Sequence, residues 1–309
     1  MLGIDFTGRL GNQMFTYAFA RLLIEMSKDT DVVANFKRST DGCEADGYAD
    51  SLRFFNVIPY TTDNRDLILK HGTLWQRLLY CVYTLLTKLP FVGSNDSFMS
   101  KIECRLMSSG LFFTGAAAKA LKIDKVPSTP LFVRGYFQDR GNFDSIRPTL
   151  LREFTPKFSP LSSNEQLYRM AARENSVCVS IRRGDYLSEQ YRRDFYVCTP
   201  EYFRDAIAKM RGFIEPPTFI FFSNDIEWVK ENISVADAEC YYESGTDPVW
   251  ETLRLMYSCH HFIISNSTFA WWAQYLGRRE GKRVIAPSRW YANEKWSSNL
   301  PLDASFLTI

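Results

Sequence analysis

The sequence predicts an α/β protein of two domains, each built on a parallel sheet with helices on both faces. Short apolar runs alternate with helical stretches through the second half of the chain, which is typical of parallel sheets. The first residues show the same order, with a strand, a glycine turn and then a helix. With 309 residues the chain is long for one compact core and suits two.

The first half begins with a clear pair of elements and then becomes less regular. The apolar run Leu2–Phe6 predicts a short buried strand, and Gly8–Gly11 predicts a glycine loop. A helix is predicted from Asn12 to about Lys28, because small and apolar residues cover several of its faces. The middle of the chain, from about residue 60 to 125, is predicted to be helical and aromatic.

The boundary between the two domains is predicted where Pro and Ser become frequent. Residues 155–164 have this composition, which is typical of a linker. Ser162 and Glu165 have the spacing of a capping box, in which the two side chains bond each other's backbone at a helix start. The domains therefore cover residues 1–160, with a helical insertion, and residues 161–309.

The second half alternates between strands and helices. Its apolar runs predict strands at Val177–Ile181, Thr218–Phe222, His261–Ile264 and Val284–Ala286. Cap residues predict helix starts at Thr199-Pro200-Glu201, near Asn224 or Asp225, at Asp247-Pro248, and at Ser267. In wound sheets of this kind, ligands bind beyond the carboxyl ends of the strands.

Composition excludes several classes of function. Hydrophobic residues make up 46% of the chain and charged residues 23%, as in ordinary globular proteins. The formal charge of +2 is too small to indicate a nucleic-acid partner. The seven cysteines form no C-x-x-C pair and the three histidines form no cluster, which disfavours zinc and favours a reducing compartment. No signal segment or long apolar span is visible, so the chain is predicted to be cytoplasmic.

The segment Ser180–Tyr186 is the most informative motif, because two arginines follow the end of an apolar strand. Arg182 and Arg183 could bind the oxygens of a diphosphate, since arginine stays charged and binds two oxygens at once. The alternative is a surface turn in which these arginines pair with Asp185 and Asp194.

Two further strand ends carry polar residues. Ser267 and Thr268 follow the third predicted strand, where free backbone N–H groups and hydroxyls attract anions. Simple helix capping is the alternative there, and it is equally the alternative at Asn224 and Asp225. Trp271-Trp272, just after Thr268, is predicted to be core rather than a stacking platform.

Two other segments allow contrasting interpretations. Asp29-Thr30-Asp31 has the D-x-D spacing of a metal motif, but it falls between a helix end and a strand start and predicts a solvated turn. Leu74–Val92 is apolar and aromatic with scattered Arg77 and Lys88, which fits an interfacial helix with peripheral membrane contact. A helix buried between domains is the alternative for this segment.

Five motifs, in this order along the chain, together resemble the alpha-1,2-fucosyltransferase family. They are Gly8–Ala18, Gly135–Gln138, Ile181–Tyr186, Phe222–Asp225 and Ile264–Trp272. Each motif is short, but the ordered set is specific and runs from the first residues to about residue 290. The resemblance therefore covers nearly the whole chain.

The resemblance implies a GT-B-like fold of two Rossmann-like domains. It also implies that L-fucose is transferred from GDP-fucose to the 2-hydroxyl of a galactoside with inversion, without a required metal or other cofactor. The first domain would hold the acceptor, a galactose-containing oligosaccharide, and the second domain the nucleotide.

The resemblance also assigns roles to individual residues. Arg182 would grip the β-phosphate and would be catalytic together with Asp185 and Asn12. The donor-binding residues would be Gly11, Gln13, Arg182, Arg183, Asn224, Asp225, Glu251, Ser267, Thr268 and Phe269, and the acceptor-binding residues Tyr136 and Gln138.

Three positions leave the assignment open. Many members of the family have His at Ser180 and Asp at Thr252, residues that help to read guanine in related fucosyltransferases, so Glu251 is the candidate substitute. Asp185 is the carboxylate nearest to Arg182 in sequence, and it is either the catalytic base or the residue that orients the arginines. A carboxylate among arginines is a weak base, which favours the orienting role.

Two other functions fit the same motifs. One is a non-catalytic module that binds GDP-sugars or glycans, which would keep the phosphate-binding donors and lack turnover. The other is a fucosyltransferase that uses a different acceptor.

Overall fold

The computed structural model describes residues 1–28, 31–40, 49–89, 96–114, 121–128, 130–293 and 302–309. The chain separates into two compact units. The N-terminal unit comprises Met1–Arg53 and Val57–Phe154, and the C-terminal unit comprises Phe54–Asn56 and Thr155–Ile309. Two residues of the D-x-D segment, Asp29 and Thr30, lie outside the described ranges.

The N-terminal unit is a parallel sheet covered by helices. Its strands are β1 (Leu2–Asp5), β2 (Val32–Asn35), β3 (Thr61–Thr62), β4 (Leu111–Phe113) and β5 (Leu131–Arg134). They pair in parallel in the order β3-β2-β1-β5-β4. Its helices are α1 (Leu10–Ser27), α2 (Lys37–Thr40), α3 (Leu67–His71), α4 (Leu74–Lys88), α5 (Asp96–Met107) and α6 (Arg147–Glu153).

Helix α1 is deeply buried because its own small and apolar residues lie on several of its faces. Met14, Phe15 and Phe19 are fully buried, and the Phe19 ring stacks on Phe137 with centroids 4.1 Å apart. The helix begins at Leu10, earlier than the predicted start at Asn12, since Leu10 is itself a buried core residue.

A buried ion pair joins the ends of the two central strands. Asp5 and Arg134 are register partners, and Arg134 Nε donates to Asp5 Oδ2 at 2.7 Å. Arg134 Nη1 also donates to the Tyr80 hydroxyl at 3.0 Å, which donates in turn to Asp66 Oδ2 at 2.6 Å. Because Asp66 caps α3 and Tyr80 lies on α4, this network fixes both helices to the carboxyl edge of the sheet.

The C-terminal unit follows the same plan with a larger sheet. Its strands are β6 (Ser176–Ile181), β7 (Thr218–Ser223), β8 (Glu239–Tyr242), β9 (His261–Ile264), β10 (Val284–Ala286) and β11 (Leu307–Thr308). They pair in parallel in the order β11-β10-β9-β6-β7-β8. Its helices are α7 (Glu165–Ala171), α8 (Glu189–Phe195), α9 (Pro200–Arg211), α10 (Ile226–Asn232), α11 (Val249–Ser258) and α12 (Thr268–Leu276).

Most predicted elements of this unit agree with the structure, and one predicted helix start is wrong. Ser162–Asn164 forms a 3-10 turn and α7 begins at Glu165, without a side-chain cap at either start. Asn164, the N-cap residue of α7, makes no capping hydrogen bond, and its Nδ2 donates to Asp247 and Glu251. The capping box predicted for Ser162 and Glu165 is therefore absent.

The C-terminal unit includes a short segment from earlier in the chain. Phe55 and Pro156 form an antiparallel bridge. On either side of it, Asn56 N donates to Thr155 O at 3.1 Å and Lys157 N donates to Phe54 O at 2.9 Å. Phe54–Asn56 is thus bonded to the first residues of the C-terminal unit.

Candidate active site

Three strand ends that carry polar residues come together at the carboxyl edge of the C-terminal sheet. Strand β6 lies between β9 and β7, with Ser180 paired to Ile264 and Ile181 paired to Ser223. Arg182 therefore emerges between the segments that follow β7 and β9. Parallel topology brings together junctions that are more than 40 residues apart in sequence, because all the strands end at the same edge.

Arg183 is held in place by the segment that follows β7. Its backbone N–H donates to Asn224 Oδ1 at 3.1 Å, and its Nε donates to Asp225 Oδ2 at 3.0 Å. Its guanidinium carbon lies 3.4 Å from the centroid of the Trp228 ring. Arg183 thus pairs with Asp225, and Asp194 is engaged by the amide of Asn293 at 2.9 Å.

The turn after Arg183 requires glycine. Gly184 has φ of +29°, and a Cβ atom at this position would lie 1.9 Å from Asn224 Nδ2. A 3-10 turn, Gly184–Leu187, follows and contains Asp185, whose side chain is outside the described part of the structure. In the same turn, the Tyr186 ring lies 5.7 Å from the guanidinium carbon of Arg182.

The start of α12 offers unfilled hydrogen-bonding groups beside Arg182. Ser267 is the N-cap residue, but its side chain makes no capping hydrogen bond and no acidic residue lies in the first turn. The nearby Ser265 hydroxyl is fully buried and has no hydrogen-bond partner among the described residues. Ser267, Thr268 and Phe269 are each partly exposed. Backbone N–H groups at such a helix start bind anions.

Asn266 connects the loops of this edge, a role that the sequence does not indicate. Its Nδ2 donates to Phe195 O and to Trp290 O, both at 2.8 Å, while the Tyr186 hydroxyl donates to its backbone carbonyl at 3.1 Å. Cys198 Sγ donates a hydrogen bond to Asn266 Oδ1 at 3.5 Å. Asn266 is almost completely buried. Asn266 therefore holds the loops after β6, β9 and β10 together.

The loop after β8 is a further part of this edge that sequence reasoning missed. Glu243 is buried there and accepts a hydrogen bond from Gly245 N at 3.0 Å. Burial raises the pKa of Glu243, and this hydrogen bond opposes the shift. Strand β8 was not predicted because Glu239–Tyr242 is short and half polar, as edge strands often are; its two tyrosines were the available signal.

Glu251, predicted to bind the donor, occupies a structural position. It is fully buried in the first turn of α11. Its Oε1 accepts hydrogen bonds from Leu161 N at 3.0 Å and from Asn164 Nδ2 at 3.1 Å. Its Oε1 therefore fixes the segment before α7, while Oε2 has no hydrogen-bond partner among the described residues. The contact of Glu251 with guanine stays a prediction. Trp271 and Trp272 are buried, as predicted.

Gln13 and Gly11 are also structural in the N-terminal unit. The Gln13 side chain is fully buried, donating to Gly8 O at 3.1 Å and to Ala49 O at 2.9 Å and accepting from Ser51 N at 3.1 Å. Gly11 lies within the first turn of α1 rather than in the loop, and it is buried. The Gln13 side chain is thus engaged by the backbone of its own unit, and the contact of Gln13 and Gly11 with the donor stays a prediction.

Asn12 and Gln138 meet at the carboxyl edge of the N-terminal sheet. Gln138 Nε2 donates to Asn12 Oδ1 at 3.0 Å, which joins the loop after β5 to the start of α1. Gln138 is nearly buried, and its Oε1 has no hydrogen-bond partner among the described residues. Tyr136, two residues before Gln138, is 38% exposed. The acceptor atom Gln138 Oε1 and the aromatic ring of Tyr136 therefore lie in one loop at this edge of the sheet.

Metal ligands are not clustered in the described ranges. There, no group of three or more His, Cys, Asp or Glu side chains is arranged to hold an ion.

Comparison with known proteins gives a consistent family assignment. The sequence profile of the family described as Glycosyl transferase family 11 matches residues 112–306. The O-antigen biosynthesis glycosyltransferase WbnK of Escherichia coli is 27% identical over 96% of this chain and 97% of its own length. An alpha-1,2-colitosyltransferase of Escherichia coli is 32% identical over 57% of this chain and 61% of its own. The human galactoside alpha-(1,2)-fucosyltransferase 1 is 31% identical over 43% of this chain and 40% of its own.

Solved structures agree on the fold. The fucosyltransferase NodZ from Bradyrhizobium superposes with a TM-score of 0.50 and 11% identity, covering 88% of this chain and 92% of NodZ. A NodZ alpha-1,6-fucosyltransferase structure soaked with GDP-fucose gives a TM-score of 0.52 and 13% identity, covering 89% and 92%. The fold is thus GT-B-like, with two Rossmann-like domains, as the sequence predicts.

Proposed function

Since this chain belongs to glycosyl transferase family 11, we propose that it transfers L-fucose from GDP-fucose to the 2-hydroxyl of a galactoside. The observation that carries the proposal is that Arg182 follows β6 beside the segment after β9. In that segment the start of α12 has no side-chain cap, and the Ser265 hydroxyl has no hydrogen-bond partner among the described residues. This arrangement suits a diphosphate, because a guanidinium and helix-start N–H groups both stabilise phosphate oxygens.

The proposed reaction is a single displacement at the fucose anomeric carbon. The acceptor hydroxyl oxygen forms a bond to that carbon while the bond to the β-phosphate oxygen breaks, and the electron pair leaves with GDP. The hydroxyl proton passes to the departing phosphate, or to Asp185 if that carboxylate is the base. Negative charge therefore grows on the departing phosphate, where Arg182 and the first turn of α12 would stabilise it. Attack from the opposite face would convert the β-linked donor sugar into an α-linked product.

Within this proposal the residues of the C-terminal unit divide into two roles. Arg182, Ser267, Thr268 and Phe269 would contact the donor, while Asn224 and Asp225 would act through Arg183, which they hold at 3.1 and 3.0 Å. In the N-terminal unit, Asn12, Tyr136 and Gln138 would contact the acceptor. Gln138 Oε1 supports this role, because it has no hydrogen-bond partner in the described part of the chain and a sugar hydroxyl would satisfy it.

The function is tested by a panel of donors and acceptors with linkage analysis of the product. We expect GDP-fucose and a terminal galactoside such as lactose to give an alpha-1,2-linked product. The relationship to an alpha-1,2-colitosyltransferase makes a colitosyl donor the necessary comparison. Binding of GDP without transfer to any acceptor would instead identify a non-catalytic binding module, and a different linkage would reassign the acceptor.

Fucosyl transfer should not depend on a divalent metal. The phosphate charge would be stabilised by Arg182 and by helix-start donors, so no step of the proposed displacement requires an ion. We expect activity to persist after dialysis against excess EDTA, measured as transfer from GDP-fucose. Loss of activity that returns on adding Mn²⁺ or Mg²⁺ would contradict this prediction.

The role of Asp185 can be decided by separating turnover from binding. As an orienting residue, Asp185 would help to place the arginines, so Asp185→Asn should weaken GDP binding and lower the transfer rate in parallel. As the catalytic base, it would accept the acceptor proton, so the same change should abolish turnover and leave GDP affinity unchanged. We expect the first result, measured by calorimetric GDP titration beside steady-state kinetics; the second result would establish Asp185 as the base.

A further inference from the structure

Helix α4 presents an apolar face that the fold does not cover. Its buried side is anchored by Gln76, whose Nε2 donates to Ser109 O and to Pro130 O, both at 2.7 Å. On the other side, large apolar side chains are exposed at Leu74 (84%), Trp75 (60%), Leu78 (54%), Val82 (45%), Leu85 (65%) and, just after the helix, Leu89 (50%). These exposed fractions contradict the interpretation of the helix as buried between domains.

The exposed side chains form one continuous stripe. With about 3.6 residues per turn, successive residues are rotated by roughly 100° around the axis. The six positions therefore fall within an arc of about 100°, the width of one amphipathic face. A contiguous exposed apolar patch of this kind is unusual on a protein surface, and such patches mark binding sites.

The described charged side chains that are exposed on α4 and on the neighbouring helix α5 are positive. Helix α4 contains no Asp or Glu, and Lys88 in its last turn is exposed. On the neighbouring helix α5, Lys101 and Arg105 are exposed on one face, four residues apart. Glu103 of α5 is buried, and its Oε1 accepts a hydrogen bond from the Tyr83 hydroxyl of α4 at 3.1 Å. We call the exposed faces of α4 and α5 the α4–α5 surface.

We propose that the α4–α5 surface binds peripherally to a lipid bilayer with anionic headgroups. Trp75 and the leucines would enter the boundary between headgroups and acyl chains, while Lys88, Lys101 and Arg105 would contact the phosphates. Within the described ranges no helix is long and apolar enough to cross a membrane. The bound helix therefore lies along the surface.

A second copy of the chain fits this surface less well than a bilayer. In a two-fold dimer the same patch faces itself, so the cations of one copy would lie against those of the other. Among the described side chains of α4 and α5, no exposed carboxylate is present to pair with them. An anionic bilayer supplies both the apolar layer and the opposite charge.

The test is vesicle flotation of the full chain and of surface variants. Wild type should float with vesicles of phosphatidylglycerol and phosphatidylcholine in equal parts and bind pure phosphatidylcholine far more weakly. Trp75→Glu/Leu78→Glu should lower the partition coefficient by at least about tenfold. Lys101→Glu/Arg105→Glu should lower it by about tenfold on anionic vesicles only. The matched control is Met26→Glu, at an exposed apolar residue of α1, which should float like wild type.

Several outcomes would overturn the proposal. One is the absence of wild-type flotation on anionic vesicles, and another is equal flotation of Trp75→Glu/Leu78→Glu and wild type. A dimer in light scattering that Leu78→Glu converts to a monomer, with no flotation, would assign the surface to a second copy. Circular dichroism and GDP-fucose turnover with a soluble acceptor should be unchanged in every variant, so a failure of the proposed function is distinguishable from a failure of membrane binding.

Discussion

Arg182→Ala should lower fucosyl transfer by on the order of a hundredfold or more, the usual cost of losing a preorganised charge donor to a leaving group. Arg182 follows β6 directly, between the segments after β7 and β9, next to the start of α12. Without its guanidinium, the charge that develops on the departing phosphate loses its nearest fixed cation. The measurement is kcat/KM with GDP-fucose at saturating acceptor.

Three variants give this result its meaning. Arg182→Lys should rescue poorly, because an ammonium is a point charge and lacks the two-pronged geometry of a guanidinium. Arg193→Ala, at an exposed arginine of α8, should behave like wild type. Arg183→Ala should remove the hydrogen bond to Asp225 and the cation–π contact with Trp228. The free energy of unfolding should therefore fall together with the activity. Near-normal transfer by Arg182→Ala would remove it from the phosphate site.

Asn266→Asp should destabilise the C-terminal unit by about 3 kcal/mol and reduce transfer severely. The change replaces an amide that donates to Phe195 O and Trp290 O with a carboxylate facing the same two carbonyl oxygens. The carboxylate oxygen in place of Nδ2 would be buried against two carbonyl oxygens that it cannot donate to, which is among the costliest defects in a protein interior. The free energy of unfolding in urea and the affinity for GDP would be measured together.

The matched control for this change is Asn232→Asp. Asn232 also donates to a backbone carbonyl, that of Trp228, but it lies exposed at the end of α10. Its substitution should alter the free energy of unfolding by less than about 0.5 kcal/mol. If Asn266→Asp were as stable and as active as Asn232→Asp, the loops after β6, β9 and β10 would not depend on Asn266.

The sequence predicted much of the C-terminal sheet because its central strands are apolar and because residues typical of helix starts follow them. Thr199 caps α9 with Pro200 in the first turn, as predicted. Polar residues were harder to interpret. Gln13 and Glu251 were predicted to bind the donor, yet they bond backbone groups 36 and 90 residues away in sequence. A single sequence does not reveal such distant partners, so a buried structural side chain and a ligand contact show the same pattern.

The same limit explains why Asn266 and Glu243 were assigned no role. The role of each side chain depends on the loops that surround it in the structure rather than on its neighbours in sequence. The meeting of Arg182 with Ser267 was predictable, in contrast, because it follows from parallel strand ends alone. Parallel topology therefore predicts which segments lie side by side at this edge of the sheet. Only tertiary contacts distinguish the residues that would bind a ligand from those that support them.

The bridge between Phe55 and Pro156 has a consequence for how the chain folds during synthesis. Asn56 and Thr155 are 99 residues apart in sequence, so they can pair only after both have left the ribosome. Their pairing also closes a long loop, which has an entropic cost. The first residues of the C-terminal unit thus pair with a segment that is synthesised well before them. A fragment that starts at Thr155 would lack this partner segment, so an independently produced C-terminal unit needs residues 54–56 restored, for example through a circular permutation that keeps the pair in one polypeptide.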